Sequence, residues 1–188
     1  MTTQITIVGL GSGDENQLTL GVWKTLQQAS KLYLRTKDHP IVAFLEKESI
    51  QYDSFDAVYE ENDQFEATYV AITEALLGEA RKGNSIVYAV PGHPMVAEQT
   101  TRLLLKQAPE QGIAIKVIGG ESFLDQVFLR FGFDPVDGFQ LLDGSELNQN
   151  MLNPRIHTLI TQVYDVYSAS DVKLTLMELY PDDYEIVV

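Results

Sequence analysis

"TIVGLGSGDENQLTL", residues 6–20, sets the fold class, because it joins an apolar β-branched run to a glycine-rich turn and then to a helical pattern. Residues 5–10 read as a strand. From Leu18 onward Leu18, Val22, Leu26 and Ala29 recur at helical spacing, with Thr19 placed as the N-cap. Between the two, Gly9, Gly11 and Gly13 occupy alternate positions. Glycine is required where a strand turns sharply toward a helix and its backbone approaches a ligand or another backbone, since a Cβ would collide with either.

The turn excludes several ligands. A triphosphate-binding loop needs a lysine followed by Ser or Thr, and neither stands at the matching place. The dinucleotide fingerprint needs its third glycine five positions after the first, whereas Gly9 and Gly13 are four apart. A G-x-G-x-G turn also serves Rossmann-type methyltransferases, but those use a carboxylate after the second strand. Arg35 and Thr36 hold that place. Asp14 and Glu15 beside the turn repel phosphate and favour a cationic or hydroxyl-bearing ligand. A glycine-rich turn that binds nothing is the competing reading.

Strand and helix patterns alternate through the rest of the first two-thirds. Strands are expected at 31–35, 55–59, 85–90 and 113–118. Helices are expected at 39–48, from Phe65 with Tyr69, Ile72 and Leu76 on one face, and from Met95 to Gln107. Asp63 and Glu66 have capping-box spacing. This order predicts an α/β domain, residues 1–118, built on a parallel five-stranded sheet. Gly119-Gly120 punctuates the chain, and a smaller mixed α/β domain is expected over 119–188. It has a helix from Ser122 to Phe131, strands at 138–142 and 155–164, and a helix capped by Ser168 with Asp171. The apolar ending "YEIVV" (184–188) reads as a strand, and the second domain as incomplete at its carboxyl end.

The 188 residues carry a formal charge of −14 and no cysteine. Disulfides, thiolate metal sites and thiol nucleophiles are thereby excluded. An acidic chain without a lysine and arginine cluster is a poor partner for nucleic acid. No apolar run of membrane-spanning length and no signal-peptide pattern occurs, so a cytoplasmic protein is expected. No metal site is expected, since Glu60-Glu61 and Glu46/Glu48 lack a second helical acid pair.

The second informative stretch is "VYAVPGHPMVAE", residues 87–98, at the carboxyl end of a central strand, where open parallel sheets place ligands. Pro91 and Pro94 stiffen the turn around Gly92. His93 sits between them, able to exchange a proton near neutral pH. Together "VGLGSGD", "LTLGVWKTLQQASKLYLRT" and "VYAVPGHPMVAE" resemble the tetrapyrrole (corrin/porphyrin) methylase family. The likeness is nearest to the branch fused ahead of a MazG-type nucleotide pyrophosphohydrolase module, whose proline-glycine-histidine-proline is matched at 91–94.

The resemblance implies two α/β domains, a homodimer, and S-adenosylmethionine or S-adenosylhomocysteine bound in the cleft between the domains. Carried over by position, Gly9, Gly11, Gly13 and Asp14 form a loop on the substrate side. Val90, Pro91, Gly92 and His93 face the methionine part of the cofactor, with Met95, Val96 and Ala97 starting the helix beneath. Ser122 and Phe123 open the second domain, where Glu121 stands for a small residue of the family. Gln162 and Val163 approach the adenine. Asp14 and His93 are the candidate proton acceptors, and Arg35, Lys37 and Arg130 are the cations available to an acidic small-molecule substrate. The implied function is methyl transfer. The alternative is a non-catalytic metabolite-sensing module that regulates a fused pyrophosphohydrolase.

Overall fold

The computed structural model describes residues 3–62 and 64–188, which fall into two compact units divided between Val127 and Phe128. The sequence reading puts that boundary at Gly119.

The first unit is a five-stranded parallel sheet in the order β3-β2-β4-β1-β5, formed by β1 (Gln4–Gly9), β2 (Leu32–Leu34), β3 (Asp53–Ser54), β4 (Ile86–Val90) and β5 (Ala114–Ile118). Helices α1 (Leu20–Gln28), α2 (Val42–Lys47), α3 (Asp56–Glu61), α4 (Phe65–Arg81) and α5 (Gln99–Glu110) connect the strands. Alternation along each strand sends neighbouring side chains to opposite faces. Ile5, Ile7, Ile86, Tyr88 and Val90 pack with Ile72, Leu76 and Leu77 of α4 and Leu104 of α5. Val8, Leu32, Leu34, Val87 and Ala89 pack with Val22 and Leu26 of α1 and Leu45 of α2. The β4 run is apolar throughout because it is covered on both faces, every residue being buried. Each fully buried Leu or Ile contributes roughly 1.5–3 kcal/mol.

Thr19 caps α1 as expected, its hydroxyl accepting from Val22 N at 3.2 Å. Four other expectations change. The strand expected over 55–59 is only Asp53–Ser54, followed by α3, because Asp56 accepts from Thr36 Oγ1 (2.6 Å) and Lys37 N (2.9 Å) and so fixes the start of a helix there. Helix α5 begins at Gln99 and not near Met95, since Pro94 and a left-handed Ala97 (φ +51°) hold the intervening turn. Its carboxyl end runs to Glu110, through Pro109. The buried face of α4 runs through Thr68, Ile72, Thr73, Leu76, Leu77 and Ala80, while Phe65 lies exposed and stacks on Tyr69. The proposed Asp63 cap lies outside the described residues.

The chain crosses from the first unit to the second within α6 (Phe123–Phe131). The second unit pairs β6 (Phe139–Asp143) with β7 (His157–Thr161) in parallel and closes with α7 (Val166–Met177). Phe128, Phe133, Phe139 and His157 form its aromatic cluster. The cap of α7 sits one turn earlier than expected: Asp165 is the N-cap and Ser168 is its capping-box partner at 2.8 Å. Residues 184–188 form no strand, and Ile186, Val187 and Val188 are exposed; no described strand pairs with them. Among the described residues, no helix is long and apolar enough to cross a membrane.

Candidate functional site

Three loops meet at the carboxyl edge of the first unit's sheet, after β1, β4 and β5. The first two are tied by an antiparallel bridge between Gly11 and Gly92. Gly92 N donates to Gly11 O at 2.7 Å, Gly11 N donates to Gly92 O at 3.3 Å, and Leu10 N donates to Val90 O at 2.9 Å. Glycine is obligatory at the crossing. A Cβ on Gly9 would run into Gly92 O and stand 2.8 Å from both Gly120 N and Pro94 Cδ, and one on Gly120 would stand 2.5 Å from Gly9 O.

The structure therefore brings together Gly9, Gly11, Val90, Pro91, Gly92 and His93, with Gly119 and Gly120 joining them from the third loop. His93 Nδ1 accepts from Met95 N at 3.1 Å, and its Nε2 lies where a Cβ on Gly119 would come within 2.6 Å. The ring thus wedges the β4 loop against the β5 loop. His39 supports the crossing from α2's approach: Ile41 N donates to its Nδ1 (3.3 Å), so Nε2 carries the proton and donates to Gly11 O (3.0 Å). Burial holds this imidazole below its usual pKa, against the opposing pull of the Gly11 bond and Asp38.

Gly92 differs from its neighbours. It is left-handed (φ +65°), and nothing lies within 4 Å of where its Cβ would stand. A closed knot of backbone thus carries one open face, the shape a backbone needs to receive a ligand closely.

The remaining site residues divide by element. Gly13 is constrained by Gln17, whose Oε1 would lie 2.6 Å from a Cβ there. Asp14 serves as an N-cap, accepting from Asn16 N at 2.9 Å and Asn16 Nδ2 at 3.0 Å, and is exposed. Val96 is half-buried, and Met95 and Ala97 are exposed. Ser122 is buried and opens α6: its Oγ accepts from Leu124 N, and its N donates to Asp125. Phe123 is the first residue of that helix. Gln162 (φ +63°) and the exposed Val163 follow β7 in the second unit.

Sequence reading missed a buried polar group beside this edge. Arg35, following β2, donates through its NH1 group to Glu98 at 2.5 Å and through Nε to Tyr59 Oη at 2.7 Å. Its guanidinium also lies over the rings of Tyr59 (5.9 Å) and Tyr69 (5.7 Å). Glu98 is 3% exposed. Burial raises its carboxyl above the usual range, and Arg35 pulls it back only in part. The ends of "LYLRT" and "PMVAE" are the only trace of this pair in the sequence.

The tetrapyrrole (corrin/porphyrin) methylase family profile matches residues 4–188. YabN of Bacillus subtilis (strain 168), itself uncharacterized, is 50% identical over 188 residues, all of this chain and 38% of the relative. A Cerrena unicolor protein, ceuMA2, described as a methyltransferase and ribosomally synthesized type I borosin cyclic peptide precursor, is 32% identical over 88% of this chain and 42% of its own length. The chain thus spans about two-fifths of these curated relatives. Among solved structures, uroporphyrin-III-C-methyltransferase from Thermus thermophilus superposes with a TM-score of 0.69 at 23% identity, over 96% of this chain and 74% of that one. Diphthine synthase gives 0.67 at 19% identity, over 94% and 71%. Both share the fold. With the profile matched across nearly the whole sequence, the chain belongs to the tetrapyrrole (corrin/porphyrin) methylase family.

Proposed function

We propose that this chain is an S-adenosylmethionine-binding methyltransferase domain whose donor site is built on the Gly11–Gly92 crossing. Members of the family use this cofactor as methyl donor, and the observation that supports it here is the open, left-handed Gly92 on a rigid knot of three loops. The residues present fit the group. Val90, Pro91 and Gly92 offer main chain without side-chain obstruction, and the buried strand ends behind them keep that surface fixed.

When bound, the sulfonium supplies a methyl group already activated for transfer, so the chain need only hold donor and acceptor in line and exclude water. Gly9 and Gly120 fix the loop spacing. His93, wedged against Gly119 and anchored through Nδ1, holds the β4 loop in register. Asp14 Oδ1 is engaged in capping and His93 Nδ1 accepts from Met95 N, so both candidate proton acceptors are tied into their own loops. The homodimer and the pyrophosphohydrolase partner are proposals that rest on the resemblance alone; sedimentation at micromolar concentration tests the first.

Titration calorimetry with S-adenosylhomocysteine tests the donor site. A Kd of about 1–100 μM is expected, roughly 5–8 kcal/mol. In Gly92→Ala the added methyl enters the open face, and binding should fall at least tenfold while circular dichroism shows the fold retained. Equal affinity in that variant places the cofactor elsewhere.

A further inference from the structure

Next to Pro91, at the carboxyl ends of β2 and β3, lies a cleft of about 440 Å³ lined by Arg35, Thr36, Asp38, Asp56, Tyr59 and Pro91. We propose that this cleft docks the methyl acceptor and that it takes an amine-bearing molecule in preference to a polycarboxylate, with Asp38 and Asp56 holding the ammonium. The inference rests on the donor-site reading, since Pro91 belongs to both the cleft and the loop assigned to the cofactor.

Charge carries the argument. Arg35 is the cation among the lining residues, and its charge is cancelled by Glu98 at 2.5 Å. Asp56 stays ionised: partial burial pushes its carboxyl up, but bonds from Ser54, Thr36 and the Lys37 main chain outweigh that and leave it below the usual range. Asp38 is exposed at the mouth. Lys37, next to Asp38 in sequence, makes no ion pair with either among the described residues. The half-buried His39 accepts from Ile41 N and donates to Gly11 O, and burial lowers its imidazole below the usual range. The wall therefore presents two carboxylates that make no ion pair among the described residues.

Hydrogen bonding points the same way. Because Tyr59 Oη accepts from Arg35, its own proton remains available to donate. Two carboxylate acceptors with a tyrosine donor suit an ammonium next to a neutral oxygen. A molecule bearing several carboxylates would set like charges against each other.

The test uses the ¹⁵N-labelled chain titrated with 1,4-diaminobutane and, separately, with succinate. The diamine should shift the amides of Arg35 to Asp38, Asp56 and Tyr59 in a saturable manner that weakens with added salt, and succinate should not. Asp38→Lys should weaken diamine binding at least tenfold, and Asp38→Asn, which leaves the fold's own hydrogen bonds untouched, by a smaller factor. Equal shifts from succinate, or undiminished diamine binding in both variants, overturn the proposal. S-adenosylhomocysteine is titrated in parallel. If it binds while the diamine does not, the acceptor assignment fails and the donor site stands. If the diamine binds while it does not, the donor reading fails and takes the acceptor role with it.

Discussion

Replacing Arg35 by methionine leaves the Glu98 carboxylate without its partner in a site where its side chain is 2% exposed and that of Arg35 is 23% exposed. With charge centres roughly 4 Å apart and an effective dielectric near 20, the lost attraction is about 4 kcal/mol. That agrees with the roughly 3–5 kcal/mol typical of removing one partner of a buried pair. The hydrogen bond to Tyr59 adds about 1 kcal/mol. Urea unfolding followed by circular dichroism should show the loss at pH 7. It should shrink at pH 5. Burial already raises the Glu98 carboxyl, and without Arg35 the rise is greater. A carboxyl whose folded pKa lies above its unfolded value costs stability as pH rises through the folded pKa, so acid relieves the defect. Arg35→Met with Glu98→Leu should return to within about 1 kcal/mol of the parent, because an apolar pair often replaces a buried ion pair at no net cost. Glu98 is the N-cap of α5 but makes no side-chain cap bond, so no cap is sacrificed. A loss below about 1 kcal/mol in Arg35→Met, or equal losses at both pH values without rescue by the second change, refutes the reasoning.

Ala97→Gly should stabilise the chain by about 0.5–1 kcal/mol in urea, since relief of the left-handed strain at φ +51° exceeds the entropy that glycine adds; destabilisation would count against it. Gly9→Ala should cost upward of about 2 kcal/mol by forcing backbone away from backbone, whereas Gly83→Ala, with nothing within 4 Å of the new Cβ, should cost about 1 kcal/mol from its φ alone; equal costs would deny the tightness of the crossing. The His39 imidazole should titrate below 6.5 by NMR, so the stability it supports is present above pH 6.5 and is lost as pH falls through the folded value; a pKa at or above 6.5 would contradict its burial.

Strand positions in the first unit were legible because β1, β4 and β5 are apolar runs bounded by glycine or proline, and the G-x-G-x-G turn and the PGHP loop were legible as loops at the sheet's carboxyl edge, where the structure bridges them. Tertiary contacts hid the rest. Residues 55–59 carry a strand-like composition, yet Asp56 is claimed by Thr36 and Lys37 and the chain turns helical. Gly119-Gly120 looks like punctuation between domains, but its physical role is close packing against His93 and Gly9. Arg35 and Glu98 stand 63 positions apart, and no local periodicity encodes a pair at that separation. The cap of α7 was misplaced by one turn because Asp165 and Ser168 repeat the spacing of Ser168 and Asp171.

The most direct test of the donor site is the map of amide shifts in the ¹⁵N-labelled chain on adding S-adenosylhomocysteine. The largest shifts should fall on Gly11, Gly92, His93 and Val96, at the carboxyl edge of the sheet, and the turn at Lys82, Gly83 and Asn84 that precedes β4 at the opposite edge should stay unmoved. Saturable shifts centred on that opposite turn, or none at millimolar ligand, would contradict a cofactor site built on the Gly11–Gly92 crossing.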